Sequence, residues 1–269
     1  MASKISVLRL NEDVLMFTSA GASFYLVCGR NCAAVIDTGI TRDEKILPIM
    51  RKYTDLPLVL VITHAHLDHM YHIDEFETSY MCHDEFSIPD EFLPFMTGGK
   101  QEYLPTTLDI QDGDVIDLGG DSLEICKVPG HTPGSVVILE KKHNMLFTGD
   151  AIGSGYGVYM QVNAATSLVE YRKSLQHMLQ FLADRGGLMS FYGGHHYQQF
   201  QSSLVPHFNP LNIGLLGDLL TLVDKIIKGE VVGRMSSVTA TNEKEIPLYA
   251  HYGRAEIEYL GSRIGKEEE

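Results

Sequence analysis

The chain carries the stretch Thr63-His64-Ala65-His66-Leu67-Asp68-His69 at the end of a near-continuous apolar run over Leu56–Thr63. A run of this kind predicts a strand that is buried on both faces of a sheet. Since residues two apart on an extended segment point to the same side, His64 and His66 can bind one ion together. Asp68 and His69 follow where the chain leaves the strand, and they can turn toward a second ion.

The ligand types in this stretch narrow the choice of metal and its use. Neutral imidazoles with a few carboxylates suit zinc, iron, manganese or nickel better than calcium or magnesium. A structural zinc site more often uses cysteine and closes its ligand shell. No cysteine lies in this stretch, so it indicates an open, catalytic metal site.

Three more side chains of ligand type follow predicted strands further along the chain. They are His131 after Leu123–Val128, Asp150 after Asn144–Thr148, and His195 after Leu188–Tyr192. A glycine directly precedes each of them, which permits a tight backbone turn at that point. Because open α/β sheets collect their sites at the carboxyl ends of strands, we expect these side chains to join the first stretch.

Together these motifs resemble those of the metallo-β-lactamase-fold hydrolase superfamily. The motifs that carry the resemblance follow the family's order over residues 37 to 195: Asp37-Thr38-Gly39, the stretch from Thr63 to His69, Pro129-Gly130-His131-Thr132-Pro133-Gly134-Ser135, Phe147-Thr148-Gly149-Asp150 and Gly194-His195. Each motif alone is weak, but all of them in this order are highly specific. The resemblance implies an α+β fold, a four-layer αββα sandwich with a metal site at one edge between the sheets.

The resemblance also implies a dinuclear site with two divalent ions, zinc first and iron or manganese as alternatives. The implied ligands are His64, His66 and His131 for one ion and Asp68, His69 and His195 for the other, with Asp150 bridging both. A hydroxide held between the ions is the implied nucleophile, and Asp68 is the implied catalytic residue that orients it. The chemistry agrees, because a bound metal brings the pKa of water to about 7.

Several residues near the motifs have two interpretations each. Asp37 either forms a turn before Thr38-Gly39 or holds a ligand. His196 competes with His195 for the last ligand position, and His72 either hydrogen-bonds a ligand or packs. Candidates for lining a substrate pocket or donating to an oxyanion, with ordinary packing as the alternative, are Tyr156, Tyr159, Met160, Tyr192 and Tyr197.

The composition limits the classes of function. A formal net charge of −14 disfavours nucleic-acid binding and favours a small-molecule substrate. No apolar run approaches the length of about 18 residues that a membrane helix needs, and the first residues lack an export signal. We therefore expect a cytoplasmic protein without membrane contact. Its four cysteines are expected to stay reduced, although Cys28 and Cys32 could face each other across a predicted turn.

The hydrophobic pattern repeats strands followed by a helix in both halves, which predicts two αβ halves packed sheet to sheet. We predict one domain over 1–269, with 201–269 as its C-terminal helix and strands. The predicted helices are Thr41–Tyr53, Ala165–Ala183 and Asn209–Lys228. The last is apolar enough either to be fully buried or to form a homodimer contact as well. The other predicted strands are Ile5–Leu10, Val14–Thr18, Phe24–Cys28, Ala33–Asp37, Ser79–Cys82, Leu108–Leu118 with a turn at Asp112-Gly113, and Ser135–Glu140, and strand pairs are predicted near Met235–Thr241 and Tyr249–Tyr259.

The motifs set the metal site but not the substrate. The negative charge argues against nucleases, and the missing export signal argues against secreted β-lactamases. His66 argues against flavin-linked diiron reductases, which have Glu at this position. Met70-Tyr71-His72 departs from glyoxalase II, in which a small residue and Gly follow the motif. We expect a metal-dependent hydrolase of a small ester, thioester or lactone. The alternatives are an iron-dependent oxidoreductase like the persulfide dioxygenases, a phosphodiesterase for a small substrate, and a binding protein that has lost catalysis.

Overall fold

The first half of the chain builds one sheet from consecutive strands. A computed structural model describes residues 5–154, 157–183, 185, 188–196, 210–237 and 245–266. The strands of the first sheet, in spatial and sequence order, are β1 Ser6–Arg9, β2 Val14–Ser19, β3 Ala22–Cys28, β4 Ala33–Ile36, β5 Leu58–Val61, β6 Ser79–Met81 and β7 Leu108–Asp109. β1 to β4 pair antiparallel, and β4 to β7 pair parallel.

The parallel strands of the first sheet need crossover connections, which are short helices here. They include α1 Leu47–Met50, α2 Leu67–Met70 and α3 Leu93–Met96. α2 begins directly after His66, so the predicted ligand stretch lies in the turn from β5 into this helix.

The second sheet contains the strands that precede the other predicted ligands. Its strands are β8 Val115–Asp117, β9 Ser122–Lys127, β10 Val136–Glu140, β11 Met145–Gly149 and β13 Ser190–Gly193, in the spatial order β13-β11-β10-β9-β8. β11 and β13 pair parallel across the long helix α4 Leu168–Ala183. A third sheet joins β12 Val158–Met160, β16 Ala255–Tyr259, β15 Leu248–Tyr252 and β14 Arg234–Met235.

Alternating side chains divide the interior into layers. On β2, Val14 and Met16 face the core between the two large sheets, whereas Leu15 and Phe17 face an outer core with α1 and α2. On β10 the same alternation places Ile138 in the central core and its neighbours in a second outer core. α4 and α5 Ile213–Ile227 cover that outer core. The order helix, sheet, sheet, helix confirms the predicted α+β sandwich.

The C-terminal elements pack into the same outer core as α4. Leu216 and Leu219 of α5 and Ile257 of β16 are buried there, and the Asn212 side chain caps α5 by accepting from Leu215 N at 3.0 Å. The single domain over 1–269 and the homodimer contact of this helix stay predictions. Within the described ranges, no helix has the length and apolar character needed to cross a membrane.

Three predicted elements differ from the structure. The helix predicted over Thr41–Tyr53 shrinks to α1, because Pro48 lacks an N–H and fits only in a first turn. The turn predicted at Asp112-Gly113 within Leu108–Leu118 is present, with a φ of +81° at Gly113, but the two strands that it separates belong to different sheets, β7 to the first and β8 to the second. The third sheet was not predicted, because the parallel pairing of β12 with β16 joins segments far apart in sequence.

All four cysteines are free in the structure, and that they stay reduced remains a prediction. Cys28 packs on the outer core of the first sheet and Cys32 on the central core. The two side chains therefore lie on opposite faces of the sheet and do not face each other across the turn.

Candidate metal centre

The predicted ligands meet at one edge of the sandwich, where strands of both sheets end. β5 leads into His64 and His66, β11 into Asp150, and β13 into His195. Val136 N donates to Thr63 O at 3.0 Å, which joins the end of β5 to the start of β10. The structure brings all seven predicted ligand side chains to this edge, as the strand-end pattern predicts.

His64, His66 and His131 form one cluster, which we term the three-histidine group. His66 Nδ1 lies 3.0 Å from His64 Nε2 and 2.9 Å from His131 Nε2. His131 Nδ1 lies 2.6 Å from the Tyr159 carbonyl, which can only accept, so the proton sits on Nδ1 and Nε2 keeps its lone pair. Burial lowers the pKa of His64 and His131, and together with His131 it lowers the pKa of His66 to about 3. The group is therefore neutral at pH 7.

Asp68, His69, Asp150 and His195 form a second cluster, which we term the mixed group. Asp150 Oδ2 lies 3.2 Å from His195 Nε2 and 3.8 Å from His69 Nε2. Asp68 Oδ2 lies 3.8 Å from His69 Nε2 and 3.7 Å from His195 Nε2. Asp150 also reaches the three-histidine group, because its Oδ2 lies 3.9 Å from His131 Nε2.

The mixed group consists of ion pairs rather than neutral rings. Burial opposes charge on His69, but Asp68, Asp37 and Asp150 outweigh it and raise its pKa to about 10. Burial also opposes charge on His195, but Asp150 outweighs it and raises the pKa of this ring. In return the two imidazoles lower the pKa of Asp68 and Asp150, again against burial. At pH 7 the protonated His69 ring therefore faces two carboxylates, and the same carboxylates favour the protonated form of His195.

The residues of both groups fit metal ions. Among the described residues, His69 Nε2 and Asp150 Oδ1 are buried and have no hydrogen-bond partner. A buried polar atom without a partner is costly, and a cation at this position would satisfy both. Five imidazoles and two carboxylates are also the donor set that divalent transition metals prefer.

Asp37 fixes the His69 ring and also binds Thr63, the residue before His64. It accepts from Thr63 N and Thr63 Oγ1, each at 2.8 Å, and from His69 Nδ1 at 2.8 Å. Its φ of +59° is left-handed, so it also forms the turn that the sequence suggested. Because the carboxylate accepts a hydrogen bond from Nδ1–H, a neutral His69 directs its Nε2 lone pair into the site.

The glycines before the ligands allow close packing that a side chain would prevent. Gly149 has a φ of +47°, the left-handed conformation in which glycine is favoured. A Cβ on Gly194 would lie 2.4 Å from Asp150 Oδ1 and 2.5 Å from His69 Cε1. Gly194 must therefore stay without a side chain for the mixed group to assemble.

Comparison with protein families agrees with the fold and the site. Residues 19–195 match the family model described as the metallo-beta-lactamase superfamily. The chain belongs to this superfamily. The match covers the Asp37 turn and every residue of both groups, so the predicted resemblance is confirmed.

Two curated superfamily relatives carry hydrolase or thioesterase names. Over 134 residues the chain is 32% identical to hydroxyacylglutathione hydrolase GloC of Haemophilus influenzae, covering 46% of this chain and 62% of that protein. Over 205 residues it is 27% identical to human acyl-coenzyme A thioesterase MBLAC2, covering 65% of this chain and 72% of that protein. The match to GloC thus spans less than two thirds of its length.

Solved structures of the metallo-beta-lactamase superfamily share the fold. A metallo-beta-lactamase from Pontibacter korlensis superposes with a TM-score of 0.59 at 19% identity, covering 82% of this chain and 99% of that chain. Metallo-beta-lactamase IND-7 gives a TM-score of 0.57 at 16% identity, covering 81% and 100%. At these identities the likeness concerns the fold alone.

His72 and His196, which each had two interpretations from the sequence, lie outside both the three-histidine group and the mixed group. His72 Nε2 accepts from Thr41 N at 3.3 Å, and its Nδ1 lies 2.7 Å from Glu75 Oε1. This arrangement anchors the loop before α1 and corresponds to the packing interpretation. His196 lines a surface cavity beside β1 and β2, whereas His195 belongs to the mixed group.

The pocket candidates divide in the same way. Tyr159 lines a small cavity with His131, Asp150 and His195, as its position after Asp150 suggested. Met160 does not line the pocket, because it is 1% exposed and packs in the outer core with α4. Tyr156 and Tyr197 lie outside the described residues.

Tyr192 corresponds to the packing interpretation, because its ring packs against the central core. It lies 6.0 Å from the Tyr25 ring and 5.9 Å from the Phe147 ring. Tyr25, which is buried on β3, was not predicted from the sequence either. Its hydroxyl donates to Gly193 O at 2.5 Å and so supports the turn before His195.

Glu85 carries a buried carboxyl group near the site that the sequence did not predict. It follows β6 in a short 3-10 segment and is fully buried against the two loops of the three-histidine group. No local pattern marks such a residue, because its partners lie at distant positions in the chain.

Proposed function

We propose that this protein is a metal-dependent hydrolase of a small acyl thioester. The observation that carries the proposal is the convergence of five imidazoles and two carboxylates from four strand ends, with two buried donor atoms unpartnered. The names of GloC and MBLAC2 support the substrate class, because acylglutathione and acyl-coenzyme A are both thioesters.

In this proposal the two groups hold two ions, zinc first. The three-histidine group would hold one ion and the mixed group the other, with Asp150 contacting both. When bound, such ions stabilise the developing oxyanion and bring the pKa of water to about 7. The remaining steps fall to the side chains of the chain itself.

Asp68 is the proposed catalytic residue, and its environment suits that role. Its side chain is 34% exposed, more than that of any other member of the mixed group. Although burial opposes it, His69 and His195 lower the pKa of Asp68, so the carboxylate stays ionised at neutral pH. An ionised carboxylate at the open side accepts a hydrogen bond from the attacking water and orients it.

The other side chains keep the ligands in place while water attacks. The Tyr159 carbonyl fixes the His131 ring, and Asp37 fixes the His69 ring. The small cavity beside both groups is also lined by Gly153 and Gly157, which place no side chain in it. A net charge of −14 supports a small substrate over a polyanion.

The test combines metal analysis with a substrate panel. The protein is purified without added metal, its metal identity and stoichiometry are measured, and it is then assayed on acylglutathione, acyl-coenzyme A, a lactone and a phosphodiester. Oxygen uptake with glutathione persulfide is measured beside them. Two ions per chain with thioester hydrolysis support the proposal. One iron with oxygen uptake, or a preference for the lactone or phosphodiester, overturns it.

Asp68→Ala tests the proposed role of its carboxylate. We expect hydrolysis to fall strongly while thermal unfolding stays close to that of the wild type, because the side chain is partly exposed. Asp90→Ala, which removes an exposed aspartate outside both groups, is the matched control and should keep full activity. Undiminished hydrolysis by Asp68→Ala would contradict the mechanism.

A further inference from the structure

We propose that Glu85 is a positioning residue whose buried carboxylate ties the loop of His64 and His66 to the loop of His131. This inference rests on the proposed function in one respect, since it takes the three-histidine group to hold a metal. It does not depend on which substrate is hydrolysed.

The contacts of Glu85 reach both loops from one side chain. Oε2 accepts from Ala65 N, between the first two histidines, at 3.3 Å. Oε1 accepts from Gly134 N at 2.9 Å and from Thr132 Oγ1, both just after His131. The two oxygens thus divide between the two loops, and the carboxylate bridges them.

The second loop is shaped to admit this side chain. A Cβ on Gly134 would lie 2.6 Å from Glu85 Cγ and 2.8 Å from Glu85 N. Glycine at this position therefore allows the loop to close on the glutamate. Thr132 is also tied to Ser135, whose Oγ lies 2.7 Å from Thr132 Oγ1, so the threonine hydroxyl has a fixed direction.

Burying this carboxyl group is costly, which argues for a specific use. Glu85 is 0% exposed, and burial raises its pKa to about 7 although the bonds from Thr132, Ala65 and Gly134 lower it. A buried charge is tolerated when its hydrogen bonds are complete. Losing the bond to one loop leaves that loop's N–H without a partner and frees the loop to shift.

Glu140 is a matched control in the same protein. It is also 0% exposed, burial raises its pKa to about 7 as well, and it accepts from His143 N at 2.9 Å. It lies at the turn between β10 and β11, at the opposite end of β10 from the site. Its side-chain partners are His143 in that turn and Asp121 before β9, and neither belongs to the three-histidine group or the mixed group.

The experiment compares Glu85→Gln with Glu140→Gln in the full chain. The amide keeps the volume but offers one acceptor and one donor, so it cannot accept from both loops. Zinc affinity is measured on metal-free protein by competition with a chelator. We expect Glu85→Gln to weaken zinc binding by about 10- to 100-fold, and Glu140→Gln to bind like the wild type.

A second readout follows the loops without metal. In metal-free Glu85→Gln, hydrogen exchange at the Ala65 amide or the Gly134 amide should speed up, while exchange in the β10–β11 turn stays as in the wild type. If Glu85→Gln does not fold, Thr132→Val and Thr132→Ser replace it. Only the valine variant removes the hydroxyl donor, so only it should weaken zinc binding.

The outcomes separate this inference from the proposed function. Zinc binding by Glu85→Gln like that of the wild type, or equal weakening by Glu140→Gln, overturns the positioning role even if thioesters are hydrolysed. Weakened binding in Glu85→Gln alone supports it even if no thioester is cleaved. A wild-type protein that takes up no zinc, iron or manganese overturns both.

Discussion

The three-histidine group and the mixed group lie side by side, yet their electrostatics are opposite. In the first, burial lowers the pKa of all three rings, and the rings are neutral. In the second, carboxylates raise the pKa of His69 to about 10 and that of His195 in the same direction. The same residue type is therefore a free base in one cluster and an acid in its neighbour.

The difference lies in the carboxylates of the mixed group, because Asp68 and Asp150 raise the pKa of both His69 and His195 and Asp37 adds to the effect on His69. His131 meets a neutral carbonyl, that of Tyr159, whereas His69 meets the carboxylate of Asp37. The carbonyl fixes the tautomer of His131 and raises its pKa by less than burial lowers it, whereas carboxylates outweigh burial at His69. We therefore expect the three-histidine group to bind metal without losing protons, and the mixed group to release them.

The largest expected effect comes from removing a neutral donor by His66→Ala. A catalytic metal contributes several kcal/mol to the transition state, and about 1.36 kcal/mol corresponds to a tenfold change in rate. Hydrolysis should therefore fall by about a thousandfold or more. His177→Ala, on a half-exposed ring of α4, is the control. Activity of His66→Ala within tenfold of the wild type would contradict the role of the group.

Gly194→Ala breaks the mixed group without removing any ligand. The added Cβ would meet Asp150 Oδ1 at 2.4 Å and displace the carboxylate or the backbone. Since a shift of about 1 Å at a reacting centre can cost a hundredfold, kcat should fall by about that factor. Metal content measured beside kcat should fall by one ion at most. Loss of both ions would show that the two groups are not separate.

Gly217→Ala is the matched control for that variant. Nothing lies within 4 Å of a Cβ at Gly217, which sits inside α5. Alanine in a helix interior is better than glycine by about 1 kcal/mol, so thermal unfolding should move upward while kcat stays unchanged.

Asp37→Asn sharpens the comparison by weakening the carboxylate behind His69. The amide cannot accept from Thr63 N, Thr63 Oγ1 and His69 Nδ1 together, so the His69 ring loses its fixed tautomer. We expect metal affinity of the mixed group to fall about 10-fold or somewhat more. Binding to the three-histidine group should change less in the same titration. Equal weakening of both would place Asp37 under the whole site.

Proton release on metal binding tests the electrostatic difference directly. The raised pKa of His69 means that folded, metal-free protein holds this proton tightly, so the stability it contributes is complete below a pH of about 6.5 and is lost as pH rises through about 10. Metal competes with that proton, so affinity at the mixed group should rise with pH, by up to about tenfold per unit. Calorimetry in buffers of different ionisation enthalpy should detect protons released by one ion and none by the other.

The sequence predicted the site better than the connections around it. Each ligand follows a strand through its own glycine or apolar run, so local pattern suffices to mark His64, His131, Asp150 and His195. Most predicted strands and both long helices are close to those observed, because alternation and helical spacing are also local. Of the strand pair predicted near Met235–Thr241, residues 238–241 lie outside the described part of the chain.

What the sequence did not predict depends on contacts between distant segments. β12 pairs with β16 about one hundred residues later, and nothing near Val158 marks this pairing. Glu85 has its role only because residues 65, 132 and 134 reach it. Tyr192 was a candidate oxyanion donor, but the face of β13 that it occupies is set by the packing of Tyr25 and Phe147. Side-chain direction in such cases follows from the assembled sheets.

The smallest expected effect is that of His196→Ala, and comparison with His195→Ala separates the roles of the two adjacent histidines. His195 Nε2 lies 3.2 Å from Asp150 Oδ2, while His196 lines the surface cavity beside β1, although the Nδ1 atoms of both rings lie within 3.1 Å of Gly21 O. His195→Ala should therefore lower kcat and metal content at the mixed group. His196→Ala should leave both within about twofold, because surface substitutions away from a site change little. If His196→Ala removed the ion and His195→Ala did not, the two rings would exchange roles in solution, and the mixed group would have to be redrawn around His196.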